Sequence, residues 1–283
     1  MAQSPLPLPQ IRGFLETQRR DRWWAMPLFT FLGLGAFIVY STWAAFQAGH
    51  YFIGGPTQIG AQELLSPFYS PVLWDAPGVT SGHAWLGPTP SWWPAWLLMS
   101  PALLILWAPG GFRFTCYYYR GAYYKAFWAD PANCAVGEPG FRGTSYRGEQ
   151  KFPLIFQNIH RYFLYLALVF IVLLAHDAWR SLWYLGDDGA RHFGLSVGSL
   201  VLSLNVVFLG GYTLGCHCWR HIVGGRHDCM SCHATSHKAW TRVSWLNSRH
   251  MLFAWVSLFW VGFTDAYVRL CSMGIWHDWR ILG

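Results

Sequence analysis

The chain is short of charge. Of its 283 residues, 12% are Asp, Glu, Lys or Arg, against about 25% in an ordinary soluble domain. So few charges cannot cover a water-exposed globule, and the composition points to the membrane class. Residues 49–91 hold no Lys or Arg. The N-terminus is Pro-rich and polar, with no short apolar core ahead of a small-residue site, so no cleavable leader is expected. No internal repeat, second domain, flavin motif or dicarboxylate motif is found, and no series of carboxylates that would relay protons. The net charge of +7 follows membrane topology and does not form a nucleic-acid patch.

What is abundant is apolar and aromatic. Hydrophobic residues make up 53% of the chain and aromatics 19%, with 19 Trp and 14 Tyr. That suits the belts of Trp and Tyr at the two lipid–water interfaces. Five runs are long enough, or nearly so, for the roughly 20 helical residues that cross a bilayer: about 27–48, 92–108, 153–175, 195–216 and 250–271. The expectation is an all-α bundle of five transmembrane helices in one domain. The second run carries Pro94 and Pro101 and should kink at Pro101. Between the first two runs lies a Gly-, Pro- and Ser-rich stretch centred on Ser66-Pro67-Phe68-Tyr69-Ser70-Pro71. Its prolines forbid a regular helix, and its length and aromatics predict an ordered functional loop at the outer surface. With the N-terminus inside, sixteen of the twenty Lys and Arg fall on inner segments; Arg180, Arg191, Arg269 and Arg280 fall outside. The positive-inside rule then puts the N-terminus in the cytoplasm and the C-terminus outside.

Chemistry concentrates where the fourth run ends. Cys216, His217, Cys218 and His221 are followed by Cys229, Cys232 and His233. Thiolate and imidazole are ligands of zinc and iron–sulfur centres. The topology brings further donors to the same inner depth: Cys116 after the second run, His160 at the start of the third and His250 at the start of the fifth. Ionisable groups at helix ends inside a bundle are candidates for function. Three centres use these residues. A zinc site takes Cys216 or Cys218 with Cys229, Cys232 and His221 or His233. A haem b takes His160 and His250 and leaves the cysteines unused. A mixed Cys/His iron–sulfur cluster uses both types and carries less negative charge than an all-Cys cluster, which makes burial near lipid less costly. His50, His83, His176, His192 and His277 lie on the outer side and are expected in solvent, and Cys134 and Cys271 are read as inert fillers.

These features together resemble one family. Ser66–Pro71, Cys116-Tyr117-Tyr118-Tyr119-Arg120, Asn158-Ile159-His160-Arg161-Tyr162, Cys216-His217, Arg220-His221, Asn247 and Arg249-His250 are similar to the single-chain membrane anchors of actinobacterial-type succinate dehydrogenase. The resemblance implies a haem-free subunit of the plasma membrane with a Rieske-type [2Fe–2S] cluster in its bundle. It also implies a flavoprotein and an iron–sulfur protein docked on the cytoplasmic face, and a quinone, menaquinone or ubiquinone, as electron acceptor. Cys116, His160, Cys216 and His250 are the first-choice ligands, one from each of four helix ends. His217, His221, Cys218, Cys229 and Cys232 are the substitutes. Quinone reduction needs an apolar slot with a few hydrogen-bonding groups; Tyr119, Arg120, His217 and His221 are the inner candidates, and the Ser66–Pro71 loop is the outer one. The alternatives are a haem-b quinone oxidoreductase subunit and a non-catalytic scaffold holding structural zinc.

Overall fold

The computed structural model describes residues 21–55, 58–94, 96–128, 152, 154–225, 227–229 and 232–283. The N-terminal lead-in before residue 21 and most of the connecting loop with Cys134 lie outside them.

Long apolar runs become long helices because in lipid every backbone N–H and C=O must be satisfied within the chain. Among the described residues, four helices are long and apolar enough to cross a membrane. They are α1 (Ala25–Gln47), α5 (His160–Arg180, entered through a 3₁₀ turn over Leu154–Ile159), α6 (Val197–Leu214) and α9 (His250–Ser272). Their large outward residues are apolar, including Phe29 and Val39 on α1, Val169 and Val172 on α5, Val207 on α6 and Leu252 on α9. A helix surface of this kind is solvated by lipid.

The second expected span is different. The described residues of 92–100 contain no helix, and the helical chain starts at Pro101 and runs as α2 (Pro101–Ile105), α3 (Trp107–Thr115) and α4 (Tyr117–Phe127). Pro101 does not kink a helix; it opens one, at the first-turn position where a missing N–H costs nothing.

Contacts divide the chain into two compact units, Met1–Ala36 with Cys116–Asn158, and Phe37–Thr115 with Ile159–Gly283. In the first, Phe31 packs on Phe127 at 4.9 Å between ring centroids. The buried face of α4 is Tyr119, Arg120, Tyr123 and Tyr124, the face that helical spacing predicts. The Gln157 amide joins two of these rings: it donates to Tyr123 Oη and accepts from Tyr124 Oη, each at 2.5 Å.

In the second unit α6 packs on α5 and α9, and α3 packs on α5. Small residues set the approach, as is usual between membrane helices. A Cβ at Gly111 would meet the Phe163 ring at 2.2 Å, and one at Gly198 would meet Leu64 at 2.4 Å. The middle of the long loop belongs to the core: residues 62–72 are all buried. It holds a short hairpin, β1 (Phe52–Ile53) with β2 (Leu64–Leu65). Two further antiparallel pairs, β3 (Trp183–Leu185) with β4 (Arg191–Phe193) and β5 (Leu195–Ser196) with β6 (Arg280–Leu282), gather at the same end. Asp278 accepts from Gly198 N and Tyr267 Oη, which ties the C-terminal tail to the start of α6.

Polar groups explain how the loop can be buried. Ser66 donates to Asp265 on α9, and Ser70 donates to Asp177 on α5. Asp265 also accepts from Tyr40 Oη at 2.7 Å and pairs with Arg269, whose guanidinium donates to the carbonyl of Gly49 at 2.9 Å. Glu63 pairs with Arg180 and Arg191. His83 is also buried, at 8% exposure, contrary to the expectation of solvent. Burial lowers its pKa from the ordinary histidine value and favours the neutral ring.

Removing one partner of a buried ion pair strands the other. Arg269→Met should therefore destabilise the folded subunit by about 3–5 kcal/mol, while adding Asp265→Leu should recover part of that loss. Thermal unfolding of the purified complex in detergent measures both, and strictly additive losses would show that the two charges are not coupled.

Candidate metal centre

The opposite end of the second unit gathers the chain's candidate ligands. Four elements meet the same layer: α3 ends at Thr115, α5 begins at His160, α6 ends at Leu214 and α9 begins at His250. Between α6 and α7 (His217–Gly224) the backbone leaves helical geometry, with Cys216 at φ −65° and ψ 142°. This break matters for chemistry. Residues two apart on a continuous helix face away from each other. Because Cys216 is extended and Cys218 lies in the first turn of α7, their sulfurs turn to the same place. Gly215 permits the break: a Cβ there would meet the Gly211 carbonyl oxygen at 2.7 Å. The amide of Asn247, on α8 (Ala234–Ser248), donates to the Gly215 carbonyl at 2.8 Å and holds the corner.

The result is a group of three donors. The ligand atoms of His160, Cys216 and Cys218 all lie within 4.8 Å of one another. His160 and Cys216 are buried, at 8% and 2% exposure. His160 Nε2 is 3.1 Å from Cys216 Sγ, and its Nδ1 is 2.8 Å from Thr115 Oγ1. The single hydroxyl proton of Thr115 goes to the Gly111 carbonyl at 2.7 Å. With its proton so placed, Thr115 Oγ1 can accept from Nδ1–H, the tautomer in which Nε2 keeps its lone pair for a metal. This is how metal-binding histidines are oriented, by a partner on the other ring nitrogen.

Rings extend the layer. His160 stacks on Phe112 at 4.7 Å and 6°, Phe112 stands edge-on to Tyr212 at 5.4 Å, and Tyr212 stacks on His250 at 4.9 Å and 13°. The Arg113 guanidinium lies 4.7 Å from the Tyr212 ring centre and donates to Ser257 Oγ at 2.9 Å. Phe112, Arg113 and Tyr212 also wall an apolar cavity of about 170 Å³ that reaches to Pro67 and Phe68 of the buried loop.

The sequence candidates separate as follows. His160 and Cys216 come together, and His250 lies in the same layer. Cys218, ranked below them, joins the group. Cys116 is buried at the N-cap of α4 in the first unit, one residue after Thr115 in the chain. Tyr119 and Arg120 are buried in that unit too. His217 and His221 are exposed on α7, where His221 Nδ1 lies 3.1 Å from Arg161. Cys229 and Cys232 are joined in a disulfide. Sequence reasoning missed Thr115, Phe112, Arg113 and Tyr212. Thr115 carried a usable signal, because it stands one helical turn after a glycine and just before a cysteine; the rings carried none.

Comparison with known proteins agrees with this architecture. The family model of actinobacterial succinate dehydrogenase subunit SdhC matches residues 25–274. A chain from the structure of the Mycobacterium smegmatis Sdh1 complex in the apo form is 40% identical and superposes with a TM-score of 0.80, covering 97% of this chain and 98% of that one. Curated proteins give no match. The chain therefore belongs to the actinobacterial succinate dehydrogenase SdhC family, as a membrane subunit of that enzyme complex.

Proposed function

We propose that this subunit anchors the soluble part of the enzyme to the plasma membrane and conducts its electrons to quinone through a mixed Cys/His [2Fe–2S] centre. The observation that carries the reading is the convergence of His160, Cys216 and Cys218. Two thiols and one imidazole, with His160 and Cys216 buried and Cys218 half-buried, suit iron–sulfur ligation and leave one further ligand to supply. Cys116 and His250 remain the sequence candidates to complete or replace members of the set. Such a centre, when bound, transfers one electron at a time.

The chain's own residues would do the rest. Thr115 holds the His160 tautomer, and Phe112 fixes the plane of the ring. Quinone reduction takes two electrons and two protons. The cavity beside Phe112, Arg113 and Tyr212 is a candidate slot, since a cavity of about 150 Å³ accommodates one benzene ring. Arg113 would donate to a quinone oxygen there. Tyr119, Arg120, His217 and His221 are the candidates outside the cavity. The flavoprotein and iron–sulfur partners would dock at the cytoplasmic face, the end that carries His160 and Cys216. Succinate oxidation belongs to the partners, because this chain has no flavin or dicarboxylate motif.

Replacing a ligand tests the centre. In the purified complex, His160→Ala and Cys216→Ser should each abolish a mixed-ligand cluster EPR signal and quinone reduction, while succinate oxidation with an artificial dye acceptor continues. A signal that survives in both variants, or a haem b absorption band assigned to this chain, would refute the reading. Cys218→Ser then assigns the second sulfur: loss of the signal places it at Cys218, and retention places it at Cys116.

Filling the cavity tests the slot. Ala167 is buried in its wall. Ala167→Trp should raise the KM for a short-chain quinone by roughly tenfold or more, about 1.4 kcal/mol of binding, with the cluster signal unchanged. An unaltered KM would move the quinone to the residues outside the cavity.

A further inference from the structure

One cluster of metal-type side chains lies outside the bundle. Helices α7 and α8 form a short hairpin. Arg220 donates from Nε to Ser244 Oγ at 2.9 Å and lies over the Trp240 ring at 4.5 Å, and Ser236 Oγ donates to the Val223 carbonyl at 2.7 Å. Within these two helices the buried residues are Gly224 and Val243. A hairpin with so small a core needs another tie. Its turn carries His227, Cys229, Cys232 and His233 within seven residues. The two sulfurs are bonded to each other, the two imidazole rings lie 4.2 Å apart, and Cys232 N donates to Cys229 Sγ at 3.2 Å.

We infer that this turn is a second metal site, a Cys₂His₂ site for a thiophilic divalent cation such as zinc, which forms when the disulfide is reduced. The donor types are those of structural zinc sites, and Cys229 and Cys232 have the two-residue spacing of their cysteine pairs. A backbone N–H aimed at a cysteine sulfur stabilises the thiolate form that binds metal. The exchange balances. Two equivalents of a monothiol reduce the Cys229–Cys232 bond to two thiols and leave as one mixed or symmetric disulfide; zinc then displaces both thiol protons. Oxidation by a disulfide reverses the sequence and releases the cation. The turn thus has two closed forms, one crosslinked by sulfur and one by metal. Cytosolic thiols would favour the metal form if this end of the chain faces inward as proposed. The site itself does not depend on that orientation or on the cluster in the bundle.

The test uses the whole complex. It is treated with a thiol reductant and zinc, desalted without chelator, and assayed for zinc by elemental mass spectrometry and for zinc ligands by X-ray absorption at the zinc edge. The expected result is one additional zinc per chain relative to Cys229→Ser/Cys232→Ser, with two sulfur and two nitrogen donors, lost again on treatment with oxidised glutathione. His227→Ala and His233→Ala should each weaken zinc retention by at least roughly tenfold, since even outer partners of ligands contribute that much. Equal zinc content in wild type and the double serine variant, or a zinc edge with no sulfur donors, would overturn the inference. The EPR signal of the bundle centre, recorded on the same samples, should be unchanged in all three variants, which keeps failure here distinct from failure of the proposed function.

Discussion

A carboxylate and a guanidinium in the apolar bundle set the terms for everything around them. Asp265 and Arg269 are one turn apart on α9, with side-chain exposures of 0% and 3%. Charges in such a setting persist only if they are paired and fully hydrogen-bonded. The partners come from three parts of the chain: Tyr40 on α1, Ser66 in the long loop and the Gly49 carbonyl at the loop's start. Satisfying this pair fixes where α1 ends, how the loop enters the bundle and how α9 is rotated. Ser70 and Asp177 repeat the device on α5. At the other end of the unit, α3, α5 and the corner between α6 and α7 deliver Thr115, His160 and Cys216 to one layer.

Much of the helical frame was legible because hydropathy and length are one-dimensional properties. The expected spans 27–48, 153–175, 195–216 and 250–271 match α1, α5, α6 and α9 to within a few residues. Within the expected span 92–108 the helix begins only at Pro101, for a local reason. Apolar composition counts Trp92, Trp93 and Leu97 as span, but a helix needs an origin, and Pro101 supplies one only at its own position. The loop was expected to be ordered at the outer membrane surface; composition could not show that residues 62–72 are buried among the helices. Serines that look like surface residues in a list are burial devices here, and their carboxylate partners lie 199 and 107 residues away in sequence. The same blindness to distant partners put His83 in solvent.

For the candidate centre, topology fixed depth, and depth was enough to select His160 and Cys216. It could not rank Cys218. The reading extended a helix to residue 216, and on a helix Cys216 and Cys218 diverge; the break after Gly215 reverses that. Nor could spacing show the ring series from Phe112 to His250, since stacking depends on side-chain angles that no periodicity encodes. Conversely, the conspicuous Cys229 and Cys232 pair drew attention to the α7–α8 turn, and the structure keeps those two sulfurs with each other.

The buried loop has a consequence for how the protein is made. Individual helices can enter a bilayer one at a time, since each satisfies its own backbone. Their mutual packing is another matter. Leu64 fills the notch at Gly198, Phe68 packs against Phe37, and Ser66 and Ser70 neutralise the desolvation of two carboxylates. All of these come from the segment between α1 and α2. Until that segment is in place, α5, α6 and α9 lack both the wedge and the counter-groups that make their association favourable. Association of these helices is therefore favourable only together with the loop that joins α1 to α2, which acts as a keystone in the bundle.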